Sequence, residues 1–210
     1  SFPYAYGKAA CERVFEQAEA DGAFAVTRIR PAHTYGEGGR VIHTLGFETY
    51  FLDRVFGGRP IVVHGDGRSL WSVCHRDDVG AAFANAVGNE RTYGHAYHVT
   101  GEEWLTWNAY HQQLAEAIGA PEPELIHIPT DLLGRVLPEQ AHWCVENFSY
   151  NNIFDNQAAR RDLGFEYTVP WRDGIGGTVD WLVENGEIED SDDYPFYDEL
   201  VERWQKLGRD

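Results

Sequence analysis

Tyr4 and Lys8 stand four residues apart in the segment Tyr-Ala-Tyr-Gly-Lys, so a helix there sets both side chains on one face. An ammonium beside a phenol stabilises the phenolate, which suits a tyrosine to give or take a proton. Hydride transfer to a carbonyl needs such a group, because the oxygen gains a proton as the carbon gains hydride. The spacing alone is a weak signal, and a plain surface role for the pair stands beside the catalytic one. Metal chemistry has less to build on: the nine histidines are scattered, and Cys11, Cys74 and Cys144 lie far apart without a Cys-x-x-Cys pair. Such sparse cysteines fit a reducing compartment better than a disulfide framework. Carboxylate-based hydrolysis rests only on the abundance of Asp and Glu, most of which read as solvated surface charge.

The elements that must position Tyr4 and Lys8 follow from periodicity. Residues 4–20 read as a helix, with Ala9, Ala10, Val14, Phe15 and Ala18 at helical spacing and Asp21-Gly22 as its stop. Residues 23–30 alternate and are β-rich, which predicts a strand ended by Pro31. The glycine-rich stretch from Tyr35 to Arg40 is a loop, followed by a helix from Phe47 to Val55. A strand over 60–64 enters the tight turn Gly65-Asp66-Gly67. A short strand over 72–75 then leads to a helix over 77–87, with Asp77 or Asp78 as its N-cap. Further strands are expected at 96–100 and 125–128, and a helix capped by Thr106 at 106–118. From Asn156 onward the chain reads as mainly helical, over 157–163, 171–184 and 197–207, with 187–193 an acidic connector. Strands alternating with helices predict an α/β fold with a parallel sheet, and the helix-rich end reads as a smaller lobe over it.

A chain of 210 residues suffices for one large domain or two interlocked ones, and 43% hydrophobic residues support a real core. No stretch approaches the ~20 apolar residues of a membrane span, and no basic leader precedes an apolar run. A cytoplasmic protein without membrane contact is expected. The net charge of −17 repels phosphate backbones, which argues against nucleic acid as a partner. Lys8 and Lys206 are the only lysines, a balance that suits a salt-adapted surface or simple acidic solubility. The chain starts at Ser1 and contains no methionine, so it is expected to be part of a longer gene product.

Order along the chain adds weight to the tyrosine–lysine pair. Tyr4 to Lys8 is followed by Ala-Ala-Cys-Glu, then by a strand ending Arg30-Pro31-Ala32-His33-Thr34-Tyr35-Gly36. Next come Gly65-Asp66-Gly67, Trp71, His75 and Asp78-Val79, then Tyr97-His98-Val99-Thr100-Gly101. Phe154-Asp155-Asn156 and Leu163-Gly164-Phe165 close the series. This order resembles the extended short-chain dehydrogenases/reductases, the NAD-dependent epimerase/dehydratase family, over essentially the whole chain.

The resemblance implies the C-terminal part of a Rossmann-like parallel sheet with a helix-rich substrate-binding lobe. Residues 1–36 would be the remainder of the dinucleotide-binding domain. Residues 37–210 would be mainly the substrate lobe, with 60–100 partly returning to the sheet. It implies NAD or NADP as cofactor and a sugar-like or nucleotide-sugar substrate. Tyr4 would be the acid/base, and Lys8 would hold the nicotinamide ribose hydroxyls. Pro31 and His33 would pass beside the nicotinamide, with His33, Thr34 and Tyr35 lining the substrate pocket. For His33, a loop residue bonded to local backbone is an equal alternative. A homodimer built through the Tyr4–Lys8 helix is the expected assembly, and a non-catalytic binding or regulatory protein on the same scaffold is the alternative function.

Two departures from the family pattern bear on substrate and cofactor. Where nucleotide-sugar epimerases carry an arginine for the diphosphate, this chain has Trp71, with Arg68 nearby, and both are counted among the substrate candidates. An aromatic ring can stack but cannot neutralise a diphosphate. Trp71 and Trp107 are residues of a kind found more often in cores than in ligand platforms. The glycine-rich dinucleotide fingerprint has no match here: Gly36 to Gly39 fall in a loop, and Gly174-Ile175-Gly176-Gly177 fall inside a helical pattern. By the resemblance, that fingerprint and the family's catalytic Ser/Thr are expected upstream of Ser1.

Overall fold

The computed structural model describes residues 2–207. In chain order the elements are α1 (Pro3–Ala20), β1 (Arg28–Pro31), β2 (His33–Tyr35), α2 (Tyr50–Phe56), β3 (Ile61–His64), β4 (Leu70–Trp71) and β5 (Val73–His75). They continue with α3 (Arg76–Ala86), β6 (Ala96–Val99), β7 (Leu105–Thr106), α4 (Trp107–Ala117), β8 (Leu125–Ile128) and α5 (Thr130–Val136). A π-helical turn, Cys144–Phe148, precedes α6 (Gln157–Leu163), α7 (Trp171–Glu184) and α8 (Pro195–Leu207). The architecture is α/β, as the alternation predicted, with β1 parallel to β6 and β3 parallel to β8. The chain divides into two compact units. One takes the chain through Thr34, then Val73–Glu102 and Phe154–Val169. The other takes Tyr35–Ser72, Glu103–Ile153 and the chain from Pro170 onward.

In the first unit, α1 begins with Pro3 at its first turn, where a missing N–H costs nothing. It ends where Asp21 and Gly22 cap it and Gly22 takes φ +71°. The pair β1 and β6 packs onto α3 and α6 through Cys74, Val79, Ala82, Tyr97, Val99, Leu163 and Phe165. Polar ties close this core. Asn156 accepts from both the amide and the hydroxyl of Thr100, and its own amide donates to the Thr100 carbonyl at 2.8 Å. Asp78 accepts from the hydroxyl of Thr168 and from the amides of Thr168 and Val169. Gly101 is required here, because a Cβ would collide with the Val73 carbonyl and the Tyr167 ring.

The second unit is built on aromatic rings. Trp107 of α4 and Trp171 of α7 are wholly buried. Tyr110 stacks on Trp171 at 4.3 Å, and Trp107 meets Trp71 and Phe148 at 5.4 and 5.1 Å. The polar edges are satisfied inside: Trp107 donates to the Phe148 carbonyl, Trp171 to the Tyr110 carbonyl and Tyr110 to the Ile42 carbonyl.

Several sequence expectations shift at element ends. The first strand starts at Arg28 rather than Ala23, because the Val26 amide is taken by the Glu19 carboxylate of α1. The helix expected from Phe47 starts at Tyr50, since Thr49 is held by Glu189 and by the Glu187 carbonyl. Helix α3 is capped by His75, whose Nδ1 accepts from the Asp77 amide, while Asp78 turns inward to its partners on Thr168 and Val169. The acidic connector is tied down, with the Ser191 hydroxyl donating to Asp53. Gly65 and Gly67 of the tight turn take φ +58° and +69°, and a Cβ at Gly67 would strike Asn108.

Candidate active-site groove

Helix α1 carries Tyr4, Lys8, Glu12 and Glu16 at successive four-residue steps, hence on one stripe. No side chain of α1 is fully buried. Its contacts with β1 and the segment before it are polar. Arg30 grips Glu12 through two nitrogens, Arg28 pairs with Glu16, and Glu19 accepts from the Val26 amide at 3.0 Å. The Arg30 guanidinium holds the Glu12 carboxyl below the usual range, and Glu12 in turn raises Arg30. His98 of β6 is lowered by desolvation and by the charge of Arg30.

Between α1 and the segment 24–34 lies an open groove of about 1030 Å³. Five of the residues expected to form the site line it: Tyr4, Lys8, Pro31, His33 and Thr34. Tyr4 is 54% exposed, so its phenol can be reached from solvent. Lys8 Nζ sits 5.5 Å from the Tyr4 ring centroid, over the ring. Thr34 donates to the Ala32 carbonyl at 3.3 Å, which holds the turn between β1 and β2. Phe15, Phe24 and Phe83 supply an apolar wall. Such a groove offers a solvent-reachable phenol, a cation and an apolar wall.

The remaining expected residues belong to the second unit. Tyr35 is buried, with its hydroxyl donating to the Pro170 carbonyl at 3.4 Å and its ring edge-on to Trp171 at 4.8 Å. Trp71, a substrate candidate in the sequence, is 6% exposed and packs in the aromatic core. Arg68 is on the surface, 3.9 Å from the Asp66 carboxylate. The sequence reading did not single out Glu12 and Arg30, which both line the groove. The signal was present in the helical step from Lys8 to Glu12 to Glu16 and in the strand alternation of Arg28 and Arg30.

Cys74 and Cys144 are buried, and desolvation pushes both thiols up to about 12. Cys11 is exposed on α1. Among the described residues, no group of three His, Cys, Asp or Glu side chains could hold a metal ion, and no helix is long and apolar enough to cross a membrane.

The α/β fold with its parallel strand pairs is similar to that of solved epimerases and dehydratases. UDP-glucuronic acid 4-epimerase from Bacillus cereus, solved with UDP-glucuronic acid and NAD, superposes with a TM-score of 0.68 at 16% identity. The superposition covers 87% of this chain and 53% of that one. Residues 1–100 match the NAD dependent epimerase/dehydratase family. Among characterised relatives, 2'-dehydrokanamycin reductase of Streptomyces kanamyceticus is 27% identical over 192 residues, covering 90% of this chain and 53% of the reductase. The chloroplast stem-loop binding protein of 41 kDa b from Arabidopsis thaliana is 34% identical over 101 residues, covering 48% of this chain and 26% of that protein. The chain thus spans about half the length of the reductase and of the epimerase.

Proposed function

We propose that this chain carries the proton-transfer centre of an NAD(P)-dependent epimerase, dehydratase or reductase acting on a sugar-like or nucleotide-sugar substrate. The observation that carries this reading is the groove of the first unit, where Tyr4 and Lys8 of α1 face the same space as Pro31, His33 and Thr34. The residues present fit the nicotinamide–ribose end of a dinucleotide: a lysine for ribose hydroxyls, a phenol beside it and an apolar wall. The bound nicotinamide would supply the hydride chemistry. Tyr4 Oη gives the proton to the substrate oxygen, or takes it, and Lys8 one helical turn away reaches the ribose hydroxyls. His33 and Thr34 orient the substrate at the rim, and the phenylalanines keep water out. In this reading the first unit serves the cofactor. The second serves the substrate, with Arg68 as a surface cation and with Tyr35 and Trp71 shaping its core. Helix α1 also exposes Tyr6 and Val14 at 71% and 66%, which suits pairing with a second copy in a homodimer. The three free cysteines suit a cytoplasmic setting.

A second reading, a non-catalytic binding protein, is favoured by the likeness to the stem-loop binding protein. The net charge of −17 weighs against RNA as its ligand. Incubating the full-length protein with UDP-glucose, UDP-glucuronic acid or dTDP-glucose and either NAD or NADP separates the two. The proposal expects dinucleotide-dependent conversion of at least one sugar, lowered by Lys8→Met. No conversion, together with salt-sensitive binding of an RNA stem-loop, would favour the second reading.

A further inference from the structure

Helix α1 poses a mechanical question. It has to hold two reacting side chains in place, yet none of its side chains is fully buried. Ala10, Glu12, Ala18 and Glu19 are its half-buried residues, and two of them are glutamates. Ala10 and Ala18 are small and Phe15 is still 45% exposed, so apolar packing fixes the helix only weakly against sliding or turning. The polar contacts are ordered instead. Glu12 meets Arg30, Glu16 meets Arg28 and Glu19 meets the Val26 amide, so the helix runs antiparallel to the strand. The spacings match: four helical residues rise about 6 Å, and two strand residues rise about 6.6 Å.

We infer that Glu12 with Arg30, and Glu16 with Arg28, are positioning residues that set the register of Tyr4 and Lys8 over the Ala32–Thr34 segment. Continuing the ladder by one step places Lys8 opposite Ala32, and a second step places Tyr4 opposite Thr34. The groove agrees, since Tyr4, Lys8, Ala32 and Thr34 all line it. A single exposed ion pair contributes little stability. Here two pairs and one capped amide share a rigid helix and a rigid strand, so their joint effect is on alignment. Arg30 is suited to this because its guanidinium engages both oxygens of Glu12, which fixes angle as well as distance. The inference rests on the proposed role of Tyr4 and Lys8, while the alignment itself can be measured without it.

Charge reversal tests both. Hydrogen exchange across residues 3–20 should quicken at least tenfold in Glu12→Arg and in Arg30→Glu, and return to within threefold of the parent in the double variant. Glu199→Gln, which breaks an exposed pair on α8, should leave α1 unchanged. In turnover of the responsive sugar nucleotide, each single reversal should lower kcat tenfold or more. The KM for the dinucleotide should move less than threefold, and the double variant should recover. Unchanged exchange in both single variants would overturn the inference. So would faster exchange with kcat preserved, because the pairs would then merely steady the helix. If the parent converts no sugar nucleotide, the proposed function fails, and unchanged exchange in both single variants would still overturn the inference.

Discussion

The two units hold their helices by different means. In the first, α1 lies on a strand through glutamate–arginine pairs and leaves Tyr4, Phe15 and Phe24 open to a groove. In the second, α4 and α7 bury Trp107 and Trp171 completely. Burying an aromatic ring removes so much apolar surface that its loss costs about 3–5 kcal/mol, whereas an exposed ion pair contributes ~1 kcal/mol or less. A helix that must admit a ligand cannot also be sealed into a core. The difference teaches that polar pairs hold α1 at an open groove, whereas buried aromatic rings fix α4 and α7.

Acid should separate the units most sharply. His43, His64 and His111 of the second unit are buried, and desolvation pushes them down to about 3, 4 and 3. The unfolded chain takes up these protons near the ordinary histidine value of about 6.5. The second unit is therefore most stable above that pH and loses stability as pH falls towards 4. Each histidine contributes up to about 1.4 kcal/mol per pH unit, so roughly 2 kcal/mol each is lost by pH 5. All seven tryptophans lie in this unit, so tryptophan fluorescence in urea at pH 7 and pH 5 reads it directly. His111→Phe should flatten the slope, and equal midpoints at the two pH values would remove the histidines from this role.

Truncation comes next in size. Trp171→Ala should destabilise the second unit by about 3–5 kcal/mol, while Tyr4→Ala should shift stability by less than about 0.5 kcal/mol. Comparable losses in urea titrations of the two variants would erase the contrast between a core helix and a groove helix. Within the first unit, Asn156→Ala removes its three bonds to Thr100 and should cost roughly 1–3 kcal/mol. Circular dichroism during urea unfolding checks it, and a parent-like midpoint would show those bonds to be dispensable. The smallest effect is chemical. Cys11 should react with a thiol reagent in the folded protein while Cys74 and Cys144 react only on unfolding. Three fast thiols would contradict the burial of the latter two.

Periodicity made most elements legible: α6, α7 and β8 fall at their expected bounds, and Thr106 caps α4 through the Ala109 amide. Helix α5 and the π-helical turn at Cys144 were not legible. One is seven residues long with a glycine inside, and the other has no sequence period of its own. The first strand was overextended because alternation at 23–27 cannot reveal that a distant glutamate takes the Val26 amide. Tyr4 and Lys8 were visible as a pair, and order along the chain gave them weight. The Glu12–Arg30 and Glu16–Arg28 pairs were not visible, because they form only once β1 brings the arginines against α1. Asp78 and Asn156 stood out as family positions, and the structure gives them work as ties between segments of the first unit.

The most direct test of the central claim is the turnover of Tyr4→Phe, measured beside the parent with the same dinucleotide and the same responsive sugar nucleotide. Removing one hydroxyl from an exposed ring leaves folding intact, so hydrogen exchange across residues 3–20 should match the parent. Loss of the proton-transferring group should lower kcat by about 10²–10⁴-fold. A variant that keeps parental kcat would show that the proton moves through another group, and that Tyr4 is not the acid/base of this site.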